Sequence, residues 1–290
     1  MDTREITNIK NVSDVQRVMN ANQVVWQGGI PLKDLPIGAK VVDPNTKYYD
    51  KPIVWIIADK NHEGYPANTV TLISEKILCL KCFSAQEYGN NVYRQKYGSN
   101  RYKYSNLLQW LNSEKSNWYS PQSYYDQPPK SSNVFNDENP YDTEPGFLNN
   151  FSEVFKGSIV STNLKTAVPT GDGGGSENVT SKIFLASSTE VGLANENKID
   201  EGTKLPIFSS DYSRNAYPTN EAVNKSDYKS LYASNPWWWW LRTPNAVYSY
   251  YVRLVNTSGA LGSDYAYYGR YGVRPLCNVK DDSSFFEVIK

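Results

Sequence analysis

The chain is poor in the residues most enzymes work with. Its 290 residues hold one histidine and three cysteines. No Ser-His-Asp or Cys-His arrangement can be assembled without His62, and the loop around it, "DKNHEGYP", carries no nucleophile motif, so a surface histidine is expected. Cys79 and Cys82 have C-x-x-C spacing but fall inside an expected strand, not at a helix N-terminus that would lower a thiol pKa. A zinc site needs four ligands, and only these three cysteines and one histidine could supply them. An odd cysteine count without disulfide-rich spacing suggests synthesis in a reducing compartment. Net charge is also missing: 30 basic residues cancel 30 acidic ones. No long-range field draws the protein toward nucleic acid or a membrane surface, so a partner must be held by local contacts. No stretch approaches the roughly 20 apolar residues of a membrane span, and the polar start "MDTREITNIKNVSDVQRVMNANQ" lacks the apolar core of a signal peptide. A surface role would then need lysis, assembly into a virus particle, or another export route.

What is present is enough for a real core, with 39% hydrophobic residues. Residues 1–30 look distinct: a short helix over "VSDVQRVMNAN", then the apolar strand "QVVWQGG". They are either an attachment or oligomerisation segment or a strand and helix packed on the main domain, residues 31–290. "PIVWIIADKNHEGYPANTVTLISEKILCLKCF" predicts a hairpin of two strands, Ile53 to Ala58 and Thr69 to Phe83, joined through Gly64 and Pro66. In "YSNLLQWLNSE", Ser105 can cap a helix with Leu107, Leu108, Trp110 and Leu111 on its apolar face, and "GFLNNFSEVF" offers a second short helix. "KIFLASSTEV" reads as a buried strand. Two long polar stretches, "SPQSYYDQPPKSSNVFNDENPYDTEPG" and "VPTGDGGGSENVTS", predict ordered functional loops. Gly171 to Asn178 lacks the lysine and helix of a phosphate loop and the spacing of an EF-hand, leaving a flexible turn or a calcium loop, as for Asn136 to Asp142. The whole reads as α+β with few short helices and long loops, and no cofactor or metal is expected.

The C-terminal part is different in kind. Four tryptophans, Trp237 to Trp240, could form a carbohydrate platform, but neighbouring rings on a strand alternate faces. One alternating pair, Trp237 and Trp239 or Trp238 and Trp240, is therefore expected to anchor the core. Arg242 and Arg274, in "LRTP" and "VRP", read as donors to buried carbonyls. From Thr243 to Val279 there is no Lys, Glu, Gln, Met or Trp. Those five are the residues that an AAC codon with both adenines randomised never encodes. The rhythm fits: Val247, Tyr248, Tyr250, Tyr251, Leu254, Gly262, Ser263, Asp264, Tyr265, Tyr267, Tyr268, Arg270 and Tyr271 are all reachable from AAC, separated by framework residues such as Ser249, Ala266, Gly269 and Gly272. The alternative is a tyrosine-rich β surface that simply avoids long charged side chains.

"WWLRTPNA", "VRLVNTSGAL" and "GVRPLCNVK", preceded by "PIVWIIADKNH", "YKYSNLLQWLNS" and "GFLNNFS", resemble the DUF6273 family of bacterial and phage proteins over roughly residues 31–280. That family is similar to the variable proteins of diversity-generating retroelements. The resemblance implies a C-type-lectin-like fold, shared with formylglycine-generating enzymes, whose variable region covers about 243–279. It implies that the positions from Val247 to Tyr271 named above are diversified and ligand-binding, on a scaffold anchored by Trp239, Trp240, Arg242 and Arg274. The implied role is a phage receptor-binding or tail-tip protein, made in the bacterial cytoplasm, carried on the virion and recognising a host-surface protein or glycan. Virion or tail proteins would be further partners and a homotrimer its assembly. A non-diversified bacterial surface adhesin is the alternative, with a formylglycine-generating-type enzyme behind it. Those enzymes use paired cysteines, whereas Cys277 stands alone, so catalysis is not carried over.

Overall fold

The computed structural model describes residues 17–20, 23–27 and 29–289. An antiparallel pair, β1 (Arg17–Asn20) and β2 (Gln23–Gln27), comes first. It is followed by β3 (Lys40–Tyr48), β4 (Lys51–Lys60), β5 (Thr69–Ser74) and β6 (Cys79–Leu80). Short helices α1 (Val92–Tyr97), α2 (Asn106–Leu111) and α3 (Glu153–Ser158) precede β7 (Ile159–Val160), β8 (Thr162–Ala167), β9 (Ser176–Ser181) and β10 (Ile183–Phe184). Then come α4 (Asp211–Arg214), α5 (Asn220–Lys225), β11 (Trp239–Pro244), β12 (Tyr251–Val255), β13 (Leu261–Tyr265), β14 (Gly272–Val273), β15 (Leu276–Lys280) and β16 (Glu287–Ile289).

A seven-stranded antiparallel sheet runs β10-β15-β5-β4-β3-β16, with β7 also on β15. Its register follows from local chemistry. Tyr49 and Asp50, at φ 50° and 62°, make a two-residue turn of the twist that hairpins prefer, setting Tyr48 opposite Lys51. Along β4, Ile53, Trp55 and Ile57 point into the core in the period of two that a strand imposes. Every residue of β5 is buried, because it lies between β4 and β15. Register shifts in the β3–β4 and β4–β5 ladders bend the sheet. A second sheet of five strands runs β13-β12-β11-β14-β6, antiparallel except for the β11–β14 pair. β8 and β9 form a separate hairpin. One continuous apolar core draws on both large sheets.

The architecture corrects the α+β, C-type-lectin-like expectation. The chain is mostly β, 28% strand against 18% helical, in curled antiparallel sheets that do not fit that fold. The helices are too short to form a layer: none of α1 to α5 exceeds six residues. α2 begins as expected, Ser105 Oγ accepting from Leu108 N at 3.1 Å, with Leu107, Leu108, Trp110 and Leu111 buried. The expected helix over "GFLNNFSEVF" breaks in two, a 3-10 turn at Phe147–Asn150 and then α3. Ser152 causes the restart: its hydroxyl caps Phe155 N and donates to Asp43 Oδ2 at 2.6 Å, holding the chain extended there. The expected strand from Thr69 to Phe83 ends at Ser74, and the chain crosses to the other sheet as β6. At the N-terminus Arg17–Asn20 is strand where a helix was expected; residues 12–16, 21 and 22, and most of the attachment segment 1–30, lie outside the described residues. Among the described residues no helix is long and apolar enough to cross a membrane.

Candidate functional site: an aromatic face held from behind

Asn245, at the end of β11, turns the chain by accepting from Val247 N and Tyr248 N at 3.0 and 2.9 Å. Val247 and Tyr248 are thereby thrust outward, 71% and 52% exposed. The carbonyls of this turn are bound from outside it. Asn100 Nδ2 shares its hydrogens among the oxygens of Asn245, Tyr248 and Tyr251 at 3.2, 3.0 and 2.9 Å. Ser249 O accepts from Asn100 N at 3.0 Å and from Arg94 Nε at 3.3 Å, while Arg94 itself is clamped by both oxygens of Asp172. Ala246 O takes Thr170 N, and Tyr250 O takes Ala266 N.

The turn after β13 is built the same way. Ala266 is fully buried and its carbonyl accepts from Phe83 N and Ser84 N. Tyr267 O accepts from Phe135 N, Gly269 O from Asn139 Nδ2, Arg270 O from Trp237 Nε1 and Tyr271 O from Lys81 N. Gly269 has no alternative: a Cβ there would lie 1.9 Å from the carbonyl oxygen of Glu138. Ala266 and Gly269 are thus positions where the surrounding chain leaves little room to enlarge the side chain.

The two turns bring the rings together. Tyr251 stacks on Tyr265 at 4.7 Å between centroids, and Tyr265 on Tyr97 at 4.2 Å. Tyr250 stacks on Tyr93 at 5.0 Å. Tyr267 and Tyr268 pack against Phe135. Arg270 lies 4.8 Å from the Tyr268 centroid and forks onto Glu138 at 2.8 and 2.7 Å. Ser263 and Asp264 are half-buried on β13, and Asp264 accepts from the Tyr271 hydroxyl. Burial raises the Tyr250 and Tyr268 phenols and pushes Tyr267 up to about 12; for Tyr251 the hydrogen bond with Tyr265 leads. These hydroxyls stay neutral, able both to donate and to accept.

Three of the sequence-expected positions turn inward. Leu254 is fully buried, facing Gly262 across the β12–β13 ladder, and Tyr267 and Tyr271 are nearly so. Tyr271 meets Trp240 edge-on at 4.8 Å. Trp239 and Trp240 are both fully buried, which corrects the alternating pair: β11 is an inner strand covered on both faces. Trp239 packs on Phe208 and under Arg274, Trp240 on Phe83. Arg242 is buried, forked onto Glu190 at 2.6 and 2.7 Å and donating to Leu185 O at 2.9 Å; Arg274 Nε donates to Ser74 O at 2.9 Å. The sequence reading missed Tyr93 and Tyr97 of α1, which complete the face. Their i, i+4 spacing in "VYRQKY" was the available signal.

Other candidates resolve differently. His62 is buried, not on the surface, because Asp59 Oδ2 at 2.6 Å and Thr203 Oγ1 at 3.2 Å occupy both ring nitrogens. Cys79, Cys82 and Cys277 are free and buried, and burial pushes the Cys79 and Cys82 thiols up to about 11 and 12. In the glycine-rich loop Asp172 is spent on Arg94 and Glu177 on Arg101; in "NDENPYD" Glu138 is spent on Arg270. Among the described residues no group of three or more His, Cys, Asp and Glu side chains is placed to hold a metal ion.

Fold and face together define a β scaffold carrying an ordered aromatic surface on two rigidly held turns. Residues 67–281 match the model of DUF6273, a domain of unknown function, and the chain belongs to that family. No curated protein and no solved structure matches it.

Proposed function

We propose that the chain is a ligand-binding display protein whose Tyr-rich face is diversified by a retroelement. On this reading it is a phage receptor-binding or tail-tip protein recognising a host-surface protein or glycan. The observation that supports it is the division of labour at the face. The backbone of both turns is held by groups outside them, such as Asn100, Arg94 and Asn139, so Val247, Tyr248, Tyr250 and Tyr268 can change without moving the chain. Tyrosine suits this use: large contact area, a two-way hydroxyl and only two torsions to freeze, as in antibody loops. Deep sequencing of the 3′ end of the gene in its native population tests the reading. Substitutions concentrated from Val247 to Tyr271, with a near-copy of that segment differing at adenines beside a reverse transcriptase gene, are expected; an unvarying segment overturns it.

A non-diversified adhesin is the second reading. It is favoured by Leu254, Tyr267 and Tyr271, whose burial makes packing demands that free variation would violate. The enzyme alternative gains no support from Cys277, which sits inside the seven-stranded sheet, opposite Leu72, with burial raising its thiol. In the display reading residues 1–30 serve attachment or oligomerisation, so removing them lowers the oligomeric mass seen by light scattering.

A further inference from the structure

The tyrosine face ends on an open backbone. β13 is the outer strand of the five-stranded sheet, bonded to β12 and to no other strand. Its register is regular, from Tyr251 opposite Tyr265 to Val255 opposite Leu261, with no shift that would bend the edge away. Alternate residues of an outer strand turn their N–H and C=O toward the sheet, and the rest turn them away. Asn256 N donating to Ala260 O and Ala266 N to Tyr250 O set the phase, so Gly262 and Asp264 face β12. Leu261, Ser263 and Tyr265 therefore aim their main-chain groups outward. Tyr265 is provided for: its N–H lies on Asp264 Oδ1 at 2.8 Å and its carbonyl accepts from Tyr268 N at 3.1 Å. The N–H and C=O of Leu261 and Ser263 meet no partner among the described residues, and both residues are partly exposed.

The other outer strands of the two large sheets are shorter. β6, β7 and β10 have two residues each and β16 has three, whereas β13 has five. It carries no proline, no lysine and no bulge, the usual guards of an edge. Nearby charges are paired: Asp264 accepts from the Tyr271 hydroxyl, and Arg253, opposite Ser263, bonds Glu196. An uncharged row of donors and acceptors two residues apart is complemented by another extended main chain, which repeats them at the same spacing. A sugar or a helix offers no such repeat. We propose that the protein takes an extended, uncharged peptide segment of its ligand as an added strand on β13, bonded through Leu261 and Ser263. The proposal rests on the reading of this face as ligand-binding, and it gives that face a constant component. Diversified codons exchange side chains, while these main-chain bonds persist in every variant except one with proline at 263. In an antiparallel segment the residue opposite Ser263 reaches between Leu261 and Tyr265, so a large apolar side chain is expected there.

The test begins with a library of random linear peptides of about 12 residues, selected on the immobilised full chain and then synthesised. Binding is expected with a dissociation constant on the order of 1–100 µM. Bound peptide should slow hydrogen exchange at the Leu261 and Ser263 amides. Methylating the peptide nitrogens one at a time should weaken binding at every second residue. Ser263→Pro deletes an outward N–H and no ladder bond, so it should keep the melting temperature and weaken binding at least about tenfold. Ser263→Ala should bind as the natural protein does. The proposal fails if no linear peptide is recovered, if methylation shows no alternation, or if Ser263→Pro binds unchanged. Should Ser263→Pro not fold, the exchange and methylation results decide. A natural protein that is dimeric by light scattering, with Ser263→Pro monomeric, also overturns it, because a second copy then fills the edge. Peptides or array glycans lost in Tyr250→Ala yet kept in Ser263→Pro would overturn the added strand and leave the ligand-binding face standing. An unvarying gene segment would overturn diversification and leave the peptide result untouched.

Discussion

A single uncharged side chain, Asn100, holds three carbonyls of the turn that presents Val247 and Tyr248. Asn100→Ala leaves those oxygens without that donor in a buried place, a loss of about 1–3 kcal/mol. The melting temperature should fall, and amide exchange at residues 245–251 should quicken more than in β5. Nothing in "YGSNRY" announces this role, since an asparagine there reads as a turn former; its partners are distant in sequence. Arg242 and Arg274 could be read as donors to buried carbonyls, whereas Trp239 and Trp240 as joint anchors followed only from the family resemblance, strand alternation having pointed to Trp237 with Trp239 or Trp238 with Trp240. His62 was misread although Asp59 stands three residues before it, at a spacing that lets a strand end and a turn bring them together. Glu87 offers a pH test. Burial lifts its carboxyl to about 7, against the opposing pull of Arg94 and Asn90, and burial lifts Asp126 to about 6. A carboxyl raised in the folded state favours folding while it is protonated, so its contribution is full below pH 4.5 and is lost as pH rises through 7. Glu87→Gln removes that loss. The variant should melt above the natural protein at pH 8, by an amount worth up to about 3 kcal/mol, and the gap should close by pH 4.

Elements constrain which side chains the face can carry. On β12 and β13, Leu254 stands opposite Gly262, and a Cβ at Gly262 would come 2.8 Å from Leu254 Cδ1. Because Leu254 is fully buried it has little space to withdraw. Gly262→Val should therefore destabilise the protein by about 1–3 kcal/mol, and Leu254→Ala in the same chain should recover part of that loss. Denaturant unfolding of the two single variants and the double variant measures the coupling; strictly additive effects would mean the two side chains do not compete. If the segment is diversified, large residues at 254 and 262 should not occur together. That this region forms closely spaced strands is suggested by the Trp run, the Tyr-rich stretch and "GVRPLCNV". Which doublet residues point inward was not readable, because that depends on β11 being covered on both faces by Phe83 and Phe208 from distant parts of the chain.

At the scale of the molecule, strand order is the feature local pattern hid. The polar triplet Ser74-Glu75-Lys76 interrupts the run from Thr69 to Phe83, but it does not tell a turn from the crossing between sheets that lies between Ser74 and Cys79. Nor does sequence order suggest that β5 pairs with β15, two hundred residues on, with Leu72 opposite Cys277. The same topology sets how much chain the fold needs. The family match begins at residue 67 and ends at 281, yet β3, β4 and β16 are members of the seven-stranded sheet. Cutting at those limits removes Trp55 and Ile57, both fully buried, and strips one edge of β5, whose residues are all buried. Loss of two large core side chains alone costs several kcal/mol, comparable to the whole stability of a domain, and an exposed apolar strand edge invites aggregation. The fragment 67–281 should therefore fail to fold, binding a hydrophobic dye and lacking a cooperative melt. The fragment 29–290 should melt cooperatively, since Leu32 N and Lys33 N, bonded to Ser283 O and Asp281 O, tie its start to the end of the sheet. A cooperative melt of 67–281 would mean that the five-stranded sheet and its tyrosine face are an independent unit, with β3 and β4 an accessory to it.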